Sequence, residues 1–262
     1  MALYDTIGKN YIQTRKSDPR IAAKLLEILL SSQAKTIVDI GAGTGSYASV
    51  LVENGYQVTA IEPSATMRSQ ALDLPRIEWI DAFAENIPLP DRSIDAAIVM
   101  LAFHHFQDYH QALHEINRVT CDGKIVLFTY NPDVIANFWL TDYFPSLIVD
   151  VQSTFLPIPN LIAEIESVSN RAVNVIPFAL PHDLSDSFAA VGWGRPELYL
   201  DARIRNGISS FSKMTDIELD RGLASLQKDL ETKDWDRKYG YLRNQQEYDA
   251  GYRFVYTTQK LN

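Results

Sequence analysis

The sequence contains a single cysteine, Cys121, among its 262 residues. One cysteine cannot form an internal disulfide bond, and it cannot supply the thiolates of a metal cluster. The sequence also lacks a long hydrophobic run. The longest centres on residues 98–103, far short of the roughly 20 residues that a membrane-spanning helix needs. The chain opens with MALYDTIGKN, which has no apolar signal-peptide core, so we expect a cytoplasmic protein.

Positive charge is also scarce. The chain has 24 lysines and arginines against 33 aspartates and glutamates, which gives a formal net charge of -9 at pH 7. An anionic protein is repelled by nucleic-acid phosphates and by anionic membrane surfaces. We therefore expect neither a nucleic acid nor a membrane as a partner.

The first 130 residues alternate between strand-like and helix-like segments, which is typical of a parallel α/β sheet. Asp18 and Pro19 suit the cap and the first position of a helix, so a helix is predicted to begin there. Further helices are predicted over residues 47–54, over residues 109–119 and after Pro63. Short apolar runs rich in β-branched residues predict strands over residues 36–40, 57–61, 77–80, 95–101 and 124–130.

The alternation stops after residue 130, and two insertions are predicted. Residues 131–180 are rich in aromatic residues and proline, whereas residues 203–247 contain a charged amphipathic helix that begins at a capping box of Thr215 and Glu218. Long loops without structure are uncommon in a compact domain. Both insertions are therefore predicted to form helices that cap the site.

The last two strands are predicted at Pro196–Leu200 and Tyr252–Thr257. These strands would complete the sheet that the first 130 residues begin. Residues 1–262 are accordingly predicted to form a single domain, in which the two insertions are additions to one α/β core.

The most informative motif is the run VDIGAGTG at residues 38–45, between the first predicted strand and a helix. Its glycines permit a tight turn and let the backbone approach a ligand, and the helix behind them offers free N–H groups. Dinucleotide sites favour G-x-G-x-x-G, which is spaced for a pyrophosphate. Here the third glycine, Gly45, comes one residue earlier, and Asp39 precedes the loop.

A second acidic residue, Glu62, follows the second predicted strand and precedes Pro63. A carboxylate at the tip of this strand can accept hydrogen bonds from the hydroxyls of a ribose. The alternative is a solvated carboxylate in front of a helix. The position of Glu62 relative to the glycine loop favours ribose binding, although enzymes that use NAD place an acidic residue there too.

With these motifs, the chain resembles class I S-adenosylmethionine-dependent methyltransferases, in the methyltransferase-domain group that includes the ubiquinone-biosynthesis and trans-aconitate types. AENIPLPD at residues 84–91 is similar to the family stretch A-E-x-L-P-F-P-D, and LAFHHF at residues 101–106 is similar to its A-L-H-H segment. The resemblance covers residues 36–130. It implies a Rossmann-like α/β fold with seven strands in the order 3-2-1-4-5-7-6, strand 7 antiparallel, and S-adenosyl-L-methionine as cofactor.

The resemblance also implies roles for individual residues. Asp39 would anchor the glycine loop or meet the cofactor amino group, and Phe83 replaces an aspartate that many members direct at adenine. Tyr11 and Arg15, four residues apart, would either close over the cofactor carboxylate or form a surface pair. The cofactor contacts implied by the resemblance are Tyr11, Arg15, Asp39, Gly41, Ala42, Gly43, Gly45, Glu62, Pro63, Phe83, Ala84, Glu85 and Leu101.

Catalytic residues are less defined by the sequence. His104 and His105 follow the fourth predicted strand, at the sheet edge where α/β folds bind ligands, and either is a candidate general base or a wall of the pocket. Tyr143, in the first insertion, is a candidate to orient or deprotonate an acceptor. No metal site is predicted, because no carboxylate cluster completes a ligand set with His110 and His114.

The sequence therefore favours methyl transfer from S-adenosylmethionine to a small-molecule acceptor. Two alternatives stay open: a module that binds the cofactor without catalysis or serves as a partner subunit, and an NAD-dependent oxidoreductase. The identity of the acceptor, the atom that is methylated and the oligomeric state do not follow from the sequence.

Overall fold

A computed structural model describes residues 14–72, 74–120 and 122–259. Tyr11, one of the predicted cofactor contacts, and Cys121 lie outside the described residues. Of the predicted pair Tyr11 and Arg15, only Arg15 is therefore described.

Seven strands form the main sheet, in the order β3-β2-β1-β4-β5-β9-β6. Strands β1 to β5 pair in parallel, whereas β9 pairs antiparallel with both β5 and β6. Because β6 and β9 are the sixth and seventh strands of this sheet along the chain, the predicted order is confirmed. The strands are β1 Thr36–Ile40, β2 Gln57–Ile61, β3 Ile77–Ile80, β4 Ala96–Met100, β5 Lys124–Tyr130, β6 Ala172–Pro177 and β9 Tyr252–Thr258.

Two short strands, β7 Leu180–Pro181 and β8 Glu247–Tyr248, form a separate antiparallel pair. Helices lie around both sheets and supply the apolar faces that bury the main sheet. The helices are α1 Pro19–Leu30, α2 Ser46–Glu53, α3 Ala65–Arg68, α4 Tyr109–Thr120, α5 Ser146–Thr154, α6 Ile158–Ser169, α7 Ala202–Asn206, α8 Ser209–Ser212, α9 Asp216–Glu231 and α10 Asp234–Tyr239.

The central strands are buried on both faces, which is why β4 reads as an unbroken apolar run. All five of its residues, Ala96–Met100, are buried. Helix α1 begins as predicted: the Asp18 side chain accepts a hydrogen bond from the backbone N–H of Arg20, and Pro19 occupies the first turn.

Two details of the predicted sheet are wrong. Residues 196–200, predicted as a strand, form a 3₁₀ helix in which Tyr199 is fully buried. The sixth strand is instead β6, which lies within the predicted insertion 131–180. The insertion therefore supplies a sheet edge as well as helices. Within this segment, Tyr199 packs against the aromatic rings of Trp139 and Phe211.

The aromatic cluster holds the cap segments together. Trp139 packs edge-on against Trp235 and Tyr199, with ring centroids 5.2 and 5.7 Å apart. Its indole N–H donates to the carbonyl of Trp193 at 2.8 Å. Segments far apart in the chain, including both predicted insertions, thus share one core.

Helices α5 and α6 follow each other closely. Within the described part of the chain, the stretch Ser146–Ser169 is long and apolar enough to cross a membrane by length and composition alone, with a hydropathy of 1.2. Residues 155–157 divide it into the two helices. Pro157 precedes the first turn of α6, where the missing N–H of a proline at the helix start costs nothing.

Candidate functional site

The glycine loop joins β1 to α2 at the carboxyl edge of the sheet. Gly41, Gly43 and Gly45 have φ angles of +69°, +61° and +78°, a region that residues with a Cβ avoid. A Cβ on Gly41 would lie 2.5 Å from Cβ of Ala102, and one on Gly45 would lie 2.8 Å from the Trp79 ring. The loop therefore needs glycine both for its turns and for its close packing.

The loop is tied to the tip of β2 by Glu62. The backbone N–H of Gly43 donates to Glu62 Oε2 at 2.9 Å, and the N–H of Ser64 donates to Oε1 at 2.8 Å. The Glu62 side chain is buried. Its carboxylate thus holds the glycine loop against the tip of β2.

Asp39 lies beside this carboxylate. Burial raises the pKa of Asp39 to about 7, and the negative charge of Glu62 adds to the rise, whereas a backbone hydrogen bond from Ala48 opposes it. Two buried carboxylates near each other favour a ligand that brings positive charge.

The carboxyl end of β4 forms the opposite side of the site. Leu101 has a φ of +52°, which is uncommon for a residue with a side chain and is often found at functional sites.

The segment after β3 also borders the site. Phe83 is 47% exposed, whereas its neighbour Ala84 is buried. Glu85 turns away in part, since its carboxylate accepts hydrogen bonds from the backbone N–H groups of Gln107 and Asp108.

These groups surround a cavity of about 440 Å³, hereafter the cofactor cavity. Gly45 is not among its lining residues and acts in turn formation and packing against Trp79 instead. The predicted cofactor contacts that line this cavity are Arg15, Asp39, Gly41, Ala42, Gly43, Glu62, Pro63, Phe83, Ala84, Glu85 and Leu101.

A second, mostly apolar cavity of about 80 Å³ adjoins the first, hereafter the acceptor cavity. Arg15 and Leu101 line both, so they mark the junction. The Arg15 Nε donates to Asp186 Oδ1 at 2.5 Å, and both side chains are nearly buried. Arg15 therefore stands at the junction with its charge compensated by Asp186.

The two predicted histidines divide between the cavities: His104 lines the acceptor cavity and His105 the cofactor cavity. Their ring centroids are 3.9 Å apart, and His104 stacks on Phe155 at 4.1 Å. Burial lowers the pKa of His105 to about 4, with Lys213 and Arg15 adding to the fall and Asp150 opposing it. Burial also holds the pKa of His104 well below its usual value. Both imidazoles are thus neutral at pH 7.

Tyr143, predicted to orient or deprotonate an acceptor, lines neither of the two cavities. Its hydroxyl donates to Asp229 Oδ2 at 2.8 Å. Burial raises the pKa of Tyr143, and this hydrogen bond adds to the rise. Its ring packs against Trp139 at 6.0 Å. Tyr143 is therefore part of the aromatic cluster around Trp139, and its buried hydroxyl has the partner that such a group needs.

Several cavity residues escaped the sequence reasoning. Asp186 lies in no recognisable motif, and its place at the cavity is apparent only from its ion pair with Arg15. Tyr130 is the last residue of β5, where an aromatic residue is ordinary in a strand. Residues 207–211 also line the acceptor cavity, although their segment carries no sequence motif that indicates a binding site. In the described residues there is no cluster of three or more histidines, cysteines or acidic residues that would hold a metal ion.

The strand order, the single antiparallel strand, the glycine loop after β1 and the acidic tip of β2 together define a class I methyltransferase fold. The family model described as "Methyltransferase domain" matches residues 38–128. This range contains all the residues that line the cofactor cavity except Arg15 and Asp186.

Known proteins agree with this class. A putative methyltransferase from an antibiotic biosynthesis pathway of Anabaena variabilis is 46% identical, with a TM-score of 0.90 over 94% of this chain and 99% of that one. An uncharacterized methyltransferase of Mycobacterium bovis is 36% identical over 43% of this chain and 46% of its own. A demethylmenaquinone methyltransferase of Thermotoga maritima is 29% identical over 50% of this chain and 62% of its own.

The chain spans about half the length of the curated relatives it matches. It belongs to the class I S-adenosylmethionine-dependent methyltransferase family, as the match along nearly the whole Anabaena variabilis protein shows.

Proposed function

We propose that this protein transfers a methyl group from S-adenosylmethionine to a small-molecule acceptor bound in the acceptor cavity. The observation that carries the proposal is the pair of adjoining cavities, one lined by the glycine loop and carboxylates and the other mostly apolar, which meet at Arg15 and Leu101. Adjoining cavities let two reactants meet in a fixed orientation, which is the main contribution a protein makes to such a transfer.

The residues present fit the cofactor. S-adenosylmethionine carries positive charge on its sulfonium and amino groups, and the cofactor cavity presents Asp39 and Glu62. Burial and then the charge of Glu62 raise the pKa of Asp39, and a cation placed near the two carboxylates would offset both effects. The glycine loop leaves the backbone accessible where a Cβ would intrude.

Individual roles follow from position. We propose that Glu62 accepts hydrogen bonds from the ribose hydroxyls and that Asp39 lies toward the amino group. Phe83, half exposed on the cavity wall, offers a face for adenine. Arg15 lies where it can contact the carboxylate of the cofactor.

The bound cofactor supplies an activated methyl group with a good leaving group, so the chain needs mainly to orient and enclose. Leu101 and His105 form the cavity wall near the junction. A histidine with a pKa of about 4 is a weak base at neutral pH, so positioning is the role we assign to His105. A location in the cytoplasm and the absence of nucleic-acid or membrane partners stay predictions.

Parallel calorimetric titrations with S-adenosylhomocysteine, S-adenosylmethionine and NAD test the proposal. We expect the first two to bind and NAD not to bind. Glu62→Ala should weaken S-adenosylhomocysteine binding roughly 10-fold or more, because a hydrogen-bonding carboxylate is lost. The matched control is Glu53→Ala, at the exposed end of α2.

Binding of NAD alone would overturn the proposal and favour an oxidoreductase. If Glu62→Ala and the parent protein bound S-adenosylhomocysteine with equal affinity, the cofactor cavity would not be the binding site. Cofactor binding without turnover on any small-molecule acceptor would indicate a non-catalytic module or partner subunit.

A further inference from the structure

Two residues that line the acceptor cavity each carry a buried polar atom that lacks a partner within the described chain: the hydroxyl of Tyr130 and Nδ1 of His104. Leaving a buried polar group without a hydrogen bond destabilises the folded protein. Such groups are rare in folded proteins and mark positions where a ligand can supply the missing bond.

The two atoms belong to one wall. The Phe155 ring stacks on His104 at 4.1 Å and meets the Tyr130 ring edge-on at 5.6 Å. Tyr130 is held in place from behind, since a Cβ on Gly251 would lie 2.9 Å from its ring. The two side chains are therefore fixed beside the same central ring.

The size of the acceptor cavity restricts its ligand. Its volume of about 80 Å³ is about half that of an engineered apolar cavity of roughly 150 Å³ that binds benzene, so it suits a ligand no larger than a single ring. Six of the lining residues have flat side chains that can stack with a ring: Tyr130, Phe138, Phe155, Phe188, Phe211 and Tyr252.

The charge of the acceptor cavity points to a neutral ligand. Arg15 is its one lining residue with a permanent charge among the residues described, and Asp186 pairs with it. Burial raises the pKa of Tyr130 and lowers that of His104, so both are uncharged at pH 7. A charged acceptor would find no unpaired counter-ion there, and its desolvation would be costly.

We propose that the acceptor cavity binds a compact, uncharged, single-ring molecule that carries a hydroxyl group, and that Tyr130 and His104 recognise this hydroxyl. A hydroxyl both donates and accepts, so it satisfies the Tyr130 O–H and the His104 Nδ1 together. The inference rests on the proposed function only in naming this ligand as the methyl acceptor. The recognition itself stands on the cavity.

The test uses phenol, benzene and benzoate as probes, titrated by ligand-observed NMR into the full chain saturated with S-adenosylhomocysteine, and also without it. Phenol should bind more tightly than benzene and benzoate. Tyr130→Phe should weaken phenol binding about 3- to 10-fold and leave benzene unchanged, as expected for one hydrogen bond. Tyr241→Phe, which removes a hydroxyl from an exposed side chain, is the matched control.

A thermal melt separates recognition from a structural role. Because the Tyr130 hydroxyl has no partner in the described chain, Tyr130→Phe should keep or raise the melting temperature. Equal affinities for phenol and benzene, unchanged phenol binding in Tyr130→Phe, or no phenol binding would overturn the proposal. Strongest binding by benzoate would also overturn it and assign recognition to Arg15. Failure of S-adenosylhomocysteine to bind would count against the proposed function alone, since phenol selectivity is measured without it too.

Discussion

Single residues of the cofactor cavity adopt states that ordinary packing avoids. Asp39 is a buried carboxyl with a pKa of about 7, and Leu101 has a positive φ. Both cost stability in the unliganded protein, and such costs concentrate at functional sites. The binding of a ligand is what makes these residues advantageous.

The substitution Asp39→Asn should stabilise the unliganded protein at pH 8 while weakening S-adenosylhomocysteine binding. The folded-state pKa of about 7 exceeds the ordinary 3.8, so the folded protein holds this proton more tightly and loses stability as pH rises from 3.8 to 7. The amide removes this loss, which we expect to be worth about 1–3 kcal/mol at pH 8 and less at pH 5. Urea denaturation at both pH values measures it.

Asp133→Asn, at an exposed position, is the control and should show no such pH difference. A destabilised Asp39→Asn protein at pH 8 would mean that the carboxylate contributes hydrogen bonds worth more than its burial costs.

The substitution Gly41→Ala tests close packing of the loop against the turn after β4. Its Cβ would lie 2.5 Å from Cβ of Ala102, in addition to the cost of a positive φ. Gly55→Ala is a matched control, because Gly55 also has a positive φ but has open space around it. We expect Gly41→Ala to lower the free energy of unfolding by about 1–3 kcal/mol more than Gly55→Ala does. Equal losses in chemical denaturation would show that the loop yields to a methyl group.

Among the elements, the cap helices are joined by a contact that the capping-box pattern did not predict. The Thr215 side chain caps α9 by accepting from the N–H of Glu218, as predicted. The Glu218 carboxylate, however, accepts from the backbone N–H of Ser146 at 2.9 Å, at the start of α5. One residue thus links the N-termini of two helices.

Glu218→Ala should therefore destabilise the protein by about 1 kcal/mol, since an N-terminal helix donor loses its carboxylate partner. Chemical denaturation measures the loss. Glu231→Ala, at the other end of α9, removes only an exposed contact with Gln227 and should change stability little. A similar loss in both variants would attribute the effect to helix propensity.

Sequence patterns predicted the elements whose burial is regular. Strands β1 to β5 and helix α1 appear where runs of apolar residues and caps place them. Strand β6 was missed because it is an edge strand with a burial pattern that does not alternate, and its conformation depends on pairing with β9. The residues of Pro196–Leu200 satisfy a strand pattern locally but pack into the cap.

The cofactor cavity was similarly predictable, since its residues lie in motifs close to the strand ends. The acceptor cavity was not, because Arg15, Tyr130 and residues 207–211 meet only through the packing of distant segments. No local pattern specifies such a meeting.

For the whole molecule, binding of the cofactor should raise the free energy of unfolding. A ligand that binds only the folded state adds about 2.7 kcal/mol at 100 times its dissociation constant, which for a chain of this size raises the melting temperature by roughly 5–10 °C. We expect this shift with S-adenosylhomocysteine in a thermal melt and none with NAD at the same concentration. A shift with NAD alone would contradict the family assignment of the cofactor.

Strand β9 also bears on how the chain is made. It lies between β5 and β6 and is the only sheet neighbour of β6 among the described strands. Ribosomes release chains from the N-terminus onward, so β5 emerges with one edge open and β6 emerges with no partner until β9 follows. During that interval the nascent sheet exposes unpaired backbone, the kind of edge that aggregation exploits and that chaperones shield.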